Sequence, residues 1–325
     1  WATAGYVVAA PLFPYTNADA PGGPEATDYV NQPADFSFII DKLIDASRTD
    51  GEMSGLIDPE AVAVAGHSNG GITVYGVAAN TCCRDPRVKA VVILAGNPQA
   101  FGDDEYDYSS NPPVLVVHGT ADAQMPYNPS VEAFNEMQAP KAFVSFTDGQ
   151  HGEWLRDGDP NFPTTVEVTG AFLEAELGGP GFADDTFDEI DASGAVITVS
   201  TGAAETPTVS TLPQPEVNRV ASVTPNTGLT AGQQVTVEWS GYLPGQSVNV
   251  LQCAEGAPDD AAVCDLQRAQ LLLPNPTGSG TVTFTILEGP VGTGLCDVDH
   301  NTCEIRVNDS GLPNATLFLP ISFAD

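Results

Sequence analysis

The stretch Ala61-Val-Ala-Val-Ala65, followed by Gly66-His67-Ser68-Asn69-Gly70, decides the fold of the first part of the chain. The apolar run is as long as a buried strand, and a helical pattern begins after Gly70. A Gly-x-Ser-x-Gly turn from strand to helix is sharp, so glycine at both ends leaves room where a side chain would not fit. The serine between them is strained and exposed, and we therefore predict that Ser68 is a nucleophile above the sheet.

Apolar runs and helical patterns alternate on either side of this turn. One helix carries apolar residues at i, i+3, i+4, i+7 and i+8, beginning at Phe36, and Pro33 suits its first turn. Strands that alternate with helices indicate an α/β fold with a mostly parallel sheet covered on both faces. The predicted strands lie at residues 5–10, 61–65, 91–94, 114–117 and 142–146, and the predicted helices at residues 33–44, after 70, at 131–137 and at 171–177.

A serine hydroxyl needs a base to remove its proton, and the chain has 4 histidines. His300 belongs to the second half of the chain, and the side chain of His67 is expected to point away from the neighbouring nucleophile. His118 ends a predicted strand and is expected to orient a loop. His151 follows the strand at 142–146, where a loop can reach over the carboxyl edge of the sheet, so we predict that it is the general base.

The base in turn needs a carboxylate that fixes its tautomer and stabilises the imidazolium. Asp122 follows the strand at 114–117 and lies on the same edge of the predicted sheet, which makes it the candidate. The acidic residues at 103–107 also follow a strand, but their clustering indicates surface charge. The backbone N–H of Asn69 is the predicted donor to the oxyanion.

Acidic and basic residues are far out of balance. The 325 residues include 43 Asp and Glu against 10 Lys and Arg, for a net charge of −33. Such a surface repels phosphate backbones and anionic lipids, so we expect no nucleic-acid partner. No run approaches the roughly 20 apolar residues of a membrane-spanning helix, so no membrane insertion is expected. The acidity suits a salty or extracellular medium and is interpreted as solvation.

The composition changes near residue 200. Residues 201–216 are rich in Thr, Pro and Ala without periodicity, which is typical of a linker. Beyond it, segments that alternate apolar with polar residues are separated by Gly and Pro turns, as in an all-β sandwich. We therefore predict an α/β domain at residues 1–200 and a β-sandwich at residues 217–325. The alternating segments are 235–239, 247–251, 280–286 and 304–307.

The 6 cysteines form no Cys-x-x-Cys pair and no zinc pattern with histidine, so we expect no structural metal. Their even number and two local pairs suggest disulfide bonds and an oxidising compartment. Cys82 and Cys83 could bond to each other, stay buried thiols or pair with cysteines of an absent N-terminal part. Residues 297–301 lack the glycine and final glutamate of a calcium loop and are interpreted as a polar turn.

Four motifs in residues 1–180 occur in one order, at 5–11, 63–71, 113–122 with 126–127, and 149–152. They resemble the α/β-hydrolase family, in particular its secreted dienelactone-hydrolase-like and platelet-activating-factor-acetylhydrolase-like esterases, and cutinase-like enzymes share them. The resemblance implies an α/β-hydrolase sheet, a triad of Ser68, Asp122 and His151 in that family's order, and no cofactor. The family normally has two or three strands before the one at Gly5 and a His-Gly loop that supplies a second oxyanion donor. The sequence starts too late to contain them, so we expect either that it is a fragment of a longer product or that something else covers that edge. Without the second donor the rate would fall by about 100- to 1000-fold.

The stretches 221–229, 250–253, 296–303 and 321–323 resemble the neocarzinostatin-type, immunoglobulin-like fold of actinobacterial chromoproteins. Two local disulfides staple the sandwich in that family, so the resemblance implies the pairs Cys253–Cys264 and Cys296–Cys303. Each would stabilise the domain by about 2–3 kcal/mol. Trp239 lies on an alternating strand and is expected in the core, whereas a tethered sandwich as a whole more often holds an enzyme on its substrate.

The sequence thus predicts a secreted bacterial carboxylic ester hydrolase that acts through an acyl-enzyme on a small-molecule or polymeric ester, with lipids and polyesters as candidates. A serine peptidase would use the same residues. The hypothesis from another class is a binding or adhesion protein, in which the truncated first domain is inactive and the β-sandwich does the work. The sequence predicts no oligomeric state.

Overall fold

A computed structural model describes residues 1–17, 19–20, 25–102, 104–202, 207–212, 218–242, 248–254, 263–265, 268–272, 278–299, 303–309 and 312–324. The chain divides into two compact units. The first comprises Trp1–Asp122 and Pro126–Leu212, and the second comprises Ala123–Met125 and Pro213–Asp325.

In the described part of the first unit, five strands form one sheet in the order β1-β2-β3-β4-β5. The first four run parallel to one another, and β5 pairs antiparallel with β4. Because β1 to β4 point in the same direction, the segments that follow β1, β3 and β4 all leave from the carboxyl edge of the sheet. The strands are β1 (Val62–His67), β2 (Val88–Leu94), β3 (Val114–Gly119), β4 (Lys141–Phe146) and β5 (Ala195–Ser200).

Helices cover both faces of this sheet. Alternate residues of β2 enter two separate cores: Val91 and Ile93 pack on one face, and Val92 and Leu94 pack on the other. The first core also contains residues of α1, α2 and α3, and the second contains residues of α4. The buried strands therefore read as continuous apolar runs, as parallel sheets require. The helices are α1 (Gln32–Ser47), α2 (Asn69–Ala79), α3 (Tyr127–Glu136) and α4 (Phe162–Leu177).

Two of the expected elements differ from the structure. The strand predicted at residues 5–10 is wrong: this segment is neither helix nor strand, and Val7 and Val8 are 46% and 50% exposed. An apolar run becomes a strand only beside a hydrogen-bonding neighbour, and within the described residues β1 pairs with β2 alone. Conversely, β5 is not among the predicted strands, because it lies beyond the part of the sequence in which strand and helix patterns alternate.

Part of the predicted linker lies on the first unit. Among its residues, 203–206 and 213–216 are outside the described part of the chain, but 207–212 run along α3. The side-chain amide of Asn135 bonds both backbone groups of Val209 at 3.0 Å, and Asn128 does the same with Leu212 at 2.8 Å. Two helical turns and three extended residues each span about 10 Å, so the spacings match. Val209 packs against the core, and the segment is docked.

The described strands of the second unit are antiparallel. They form sheets in the orders β10-β7-β6 and β14-β13-β8-β9 and a hairpin of β11 with β12. The expected position of Trp239 in the core is confirmed, because it lies with Val237 from one sheet and Val250 and Ile305 from the other in one buried cluster. The strands are β6 (Val220–Thr224), β7 (Gln234–Ser240), β8 (Val248–Cys253), β9 (Gln270–Leu272), β10 (Gly280–Thr285), β11 (Gly289–Val291), β12 (Gly294–Cys296), β13 (Cys303–Asp309) and β14 (Leu312–Ile321).

All 6 cysteines form disulfide bonds. Cys253 bonds Cys264 and Cys296 bonds Cys303, as the resemblance implied. Cys82 bonds its neighbour Cys83, which selects one of the three possibilities left open by the sequence. Of the predicted polar turn, residues 300 and 301 fall outside the described residues.

A search of the described residues for metal-binding groups of His, Cys, Asp and Glu finds none. In the same residues, no helix has the length and apolar character needed to span a membrane.

We predict that replacing both Asn128 and Asn135 by alanine releases residues 207–212 from α3. The loss of four hydrogen bonds should lower the free energy of local opening by about 2 kcal/mol. Cleavage of this segment by a nonspecific protease should then become roughly 30-fold faster, because cleavage tracks the open population. Glu132→Ala, on an exposed position of the same helix, is the matched control. Equal cleavage rates in the double variant and the control would contradict docking.

Candidate active site

Ser68 connects β1 directly to α2 in a backbone conformation that side chains rarely adopt. Its φ and ψ are 58° and −120°, and Asn69 is already the first helical residue. The Ser68 N–H donates to Leu94 O of β2 at 3.0 Å, so the turn is anchored to the sheet. A non-glycine residue at positive φ carries strain that the surrounding structure must hold in place. The strain lifts the hydroxyl out of both the strand and the helix, where loops from the sheet edge can reach it.

The glycines around Ser68 have unequal roles. A Cβ at Gly66 would overlap the carbonyl group of Gly70, so no other residue fits there. The expectation that Gly70 leaves room for the turn is wrong, since a Cβ at that position would have nothing within 4 Å. The crowded position is Gly71, whose Cβ would lie 2.7 Å from the Cα of Gly96. Glycine is therefore needed where α2 crosses the segment after β2, which the motif alone did not reveal.

Ser68, His151 and Asp122 meet at the carboxyl edge of the sheet. His151 Nδ1 lies 2.8 Å from Asp122 Oδ2, and His151 Nε2 lies 2.8 Å from Ser68 Oγ. An ionised carboxylate only accepts hydrogen bonds, so Nδ1–H is the donor to Asp122. Nε2 is then left as an acceptor for the Ser68 hydroxyl in neutral His151. The three side chains form one continuous hydrogen-bonded chain.

The loops that carry Asp122 and His151 are tied to each other. Ala121 N–H donates to Gly149 O, and Asp148 N–H donates to Thr120 Oγ1, both at 2.9 Å. Trp154, which is fully buried, donates from Nε1 to Gln150 O at 3.1 Å and packs its ring on Phe146. The His151 loop is therefore held by the loop that follows β3 and by the Trp154 side chain packed on Phe146. This support limits how far the imidazole can move away from the carboxylate.

Asp122 is buried and nevertheless ionised. Burial opposes ionisation, but hydrogen bonds from His118 and His151 outweigh it and hold the pKa of Asp122 well below its usual range. His118 Nε2 lies 3.4 Å from Asp122 Oδ2, and neither side chain is exposed. His118 was expected to orient a loop, and the structure shows that it contacts the carboxylate of Asp122 directly. The sequence signal was its spacing of four residues from Asp122 at the end of a strand.

His67 also lies closer to the site than expected. Its ring centroid is 4.8 Å from that of His151, and the two planes are tilted by 37°. Asn69 begins α2 next to Ser68, so its amide sits at the positive end of the helix dipole. The acidic segment at 103–107 contributes no contact to Ser68 or His151 among the described residues, and Asp104 and Glu105 are exposed.

Comparison with known proteins identifies the second unit. Residues 221–323 match the model of the neocarzinostatin family. Actinoxanthin and the antitumor antibiotic C-1027 apoprotein, both from Streptomyces globisporus, are each 32% identical over 98 residues, which are 28% of this chain and 67% of theirs. Through this unit, the chain belongs to the neocarzinostatin family.

The solved structures that resemble parts of this chain include macromomycin and an esterase domain. Macromomycin is 26% identical, with a TM-score of 0.27, and the match covers 33% of this chain and 99% of that chain. The esterase domain of a Rhodothermus marinus protein is 21% identical, with a TM-score of 0.27, over 35% of this chain and 61% of that chain.

We predict that Gly66→Ala and Gly70→Ala separate the two glycines of the motif. The first should unfold the turn or lower the melting temperature by several degrees, because its Cβ overlaps a backbone carbonyl. The second should be tolerated, and it replaces a helical glycine by a better helix former. Differential scanning fluorimetry of both variants checks this. A Gly70→Ala protein as unstable as Gly66→Ala would contradict the assignment.

Proposed function

We propose that the first unit is a serine hydrolase of the α/β-hydrolase type that cleaves carboxylic esters. The observation that carries the proposal is the hydrogen-bonded chain from Ser68 Oγ through His151 to Asp122, with both distances at 2.8 Å. A strained strand-to-helix turn for the nucleophile, followed by an acid and then a histidine on later strands, supports the same class. The role of each residue follows from what its atoms can donate and accept.

In the proposed reaction, His151 Nε2 takes the Ser68 proton while Oγ attacks the ester carbonyl. The Asn69 N–H donates to the oxygen that becomes negative in the tetrahedral intermediate. Collapse of this intermediate breaks the ester bond, and the His151 imidazolium gives its proton to the leaving alcohol. Water then repeats the sequence on the acyl-enzyme, which releases the acid and restores the Ser68 hydroxyl. No electrons are transferred, and water is the second substrate.

Asp122 supports both transfers by remaining negative. The low pKa of this carboxyl keeps it ionised when His151 becomes a cation, so the imidazolium gains a buried counter-ion at 2.8 Å. His118 donates to the same carboxylate oxygen and satisfies part of its hydrogen-bonding capacity. We infer that His118 keeps Asp122 charged rather than taking part in proton transfer, because its contact is with Asp122 and not with Ser68.

For the second unit, we propose that it binds a ligand or a polymeric substrate and that the whole protein is secreted. Membership in a family that includes an antitumor antibiotic apoprotein supports a binding role. Three disulfide bonds among the described residues support an oxidising, extracellular medium. The esterase would then act on a lipid or polyester held near it. Binding of the purified full chain to polyester particles, with Ser68→Ala retaining it, tests this role separately from hydrolysis.

The decisive experiment for the first unit compares hydrolysis of p-nitrophenyl butyrate by the wild type, Ser68→Ala and Ser54→Ala. Ser54 is exposed, and its replacement should leave the rate unchanged. Ser68→Ala should reduce kcat by at least about 10³-fold, because the nucleophile is gone. Equal rates for all three proteins would rule out the proposal. An amino-acid p-nitroanilide in parallel distinguishes an esterase from a peptidase.

Asp122→Asn tests the carboxylate. An amide side chain can donate to His151 Nδ1, which would favour the wrong tautomer and leave Nε2 protonated toward Ser68. We expect kcat to fall by about 10³- to 10⁴-fold at neutral pH with little change in KM. A kcat within threefold of the wild type would show that Asp122 is not the partner of the base.

A further inference from the structure

His67, the last residue of β1, packs against the ring of His151, the candidate base. Its ring lies 4.8 Å from that of His151 between centroids and meets Trp154 edge to face at 6.3 Å. On another side the backbone of Gly152 closes over it, since a Cβ at Gly152 would be 2.5 Å from His67 Nε2. The imidazole thus packs against three neighbours, of which Gly152 and Trp154 follow His151 in the same loop.

Burying His67 in this position costs free energy because one ring nitrogen has no hydrogen bond within the part of the chain that the structure describes. His67 Nε2 is buried without a hydrogen-bond partner among the described residues. Burying a polar nitrogen in this way costs about 1–3 kcal/mol. Gly152, at φ of 91°, covers this nitrogen, so it does not face bound substrate. The ring is placed to fill space beside His151, not to bind.

His67 stays neutral mainly because it is buried. Burial, together with the neighbouring His151, His118 and Arg156, lowers its pKa to about 4, while Asp122 acts in the opposite direction. At neutral pH a flat, uncharged ring therefore lies against His151. Such a ring offers its π face to the His151 cation that forms during acyl transfer, whereas a charged His67 would repel it.

We infer that His67 is a positioning residue for the proposed esterase: its ring, held by Gly152 and Trp154, fixes the plane of His151. His151 must reach Ser68 Oγ and Asp122 Oδ2 at the same time, and only one ring orientation satisfies both at 2.8 Å. Its loop turns through two positive-φ residues, Asp148 at 57° and Gly152 at 91°. Without the His67 ring, a cavity would open beside the imidazole, and the ring could tilt away from Ser68. This inference rests on the proposed function.

The experiment measures kcat and KM of p-nitrophenyl butyrate hydrolysis for His67→Ala, His67→Leu and His67→Phe beside Ser68→Ala. Phe keeps a flat ring, whereas Leu fills volume without one. We expect Ala and Leu to lower kcat about tenfold with KM within twofold of the wild type, and Phe to restore kcat to within twofold. If the Ala variant does not fold, the comparison of Leu with Phe decides.

A substitution at Gly152 tests independently whether the packing of His67 against His151 matters. Gly152→Ala should lower kcat, because its Cβ would overlap His67 Nε2 and displace the ring that lies against His151. In the His67→Ala background the same change should have a smaller effect, since the ring it displaces is gone, while the backbone strain at position 152 is equal in both.

The outcomes distinguish a failure of the proposed function from a failure of the positioning role of His67. Wild-type activity in Ser68→Ala would overturn the proposed function and this inference with it. Loss of activity in Ser68→Ala together with equal kcat for the Leu and Phe variants would overturn the inference alone. Additive effects of the changes at positions 67 and 152 would also overturn it.

Discussion

The candidate site depends on how closely two pieces of backbone approach at the turn between β1 and α2. Gly66 leaves no space for a side chain beside Gly70, and Gly71 meets Gly96 with no Cβ between them. This contact forces Ser68 to φ of 58° and directs its hydroxyl to the carboxyl edge of the sheet. Every other distance in the site is set by loops that return to this point.

Three of the described histidines lie at the candidate site, and each makes a different contact. His151 bridges Ser68 and Asp122, His118 contacts the Asp122 carboxylate, and His67 lies against His151. Burial would neutralise both the acid and the histidines. The hydrogen bonds to Asp122 outweigh burial, while nothing comparable supports a charge on His67, so one group stays ionised and the other neutral. This separation comes from local contacts, because the overall charge of −33 is far too diffuse to choose between neighbours.

Most of the sheet could be predicted because parallel strands are buried on both faces and stand out as apolar runs. The strand predicted at 61–65 became β1, and the one at 142–146 became β4. The same rule misled at residues 5–10, where the apolar run pairs with no other strand of the described residues. It also missed β5, which joins the sheet antiparallel at its far edge. A linker was expected at 201–216 from composition, yet residues 207–212 bind α3 through two asparagines that no local pattern marks.

The sequence by itself determined the Gly-x-Ser-x-Gly turn at 66–70, the positions of an acid and a histidine after later strands, and the second domain, because each leaves a local pattern. Only the tertiary structure decided that Ser68, Asp122 and His151 lie in one hydrogen-bonded chain, that Gly71 and not Gly70 is crowded, and that His67 packs under His151. These facts join residues up to 83 positions apart. The spacing of residues along a chain carries no information about such distances until the strands between them are paired.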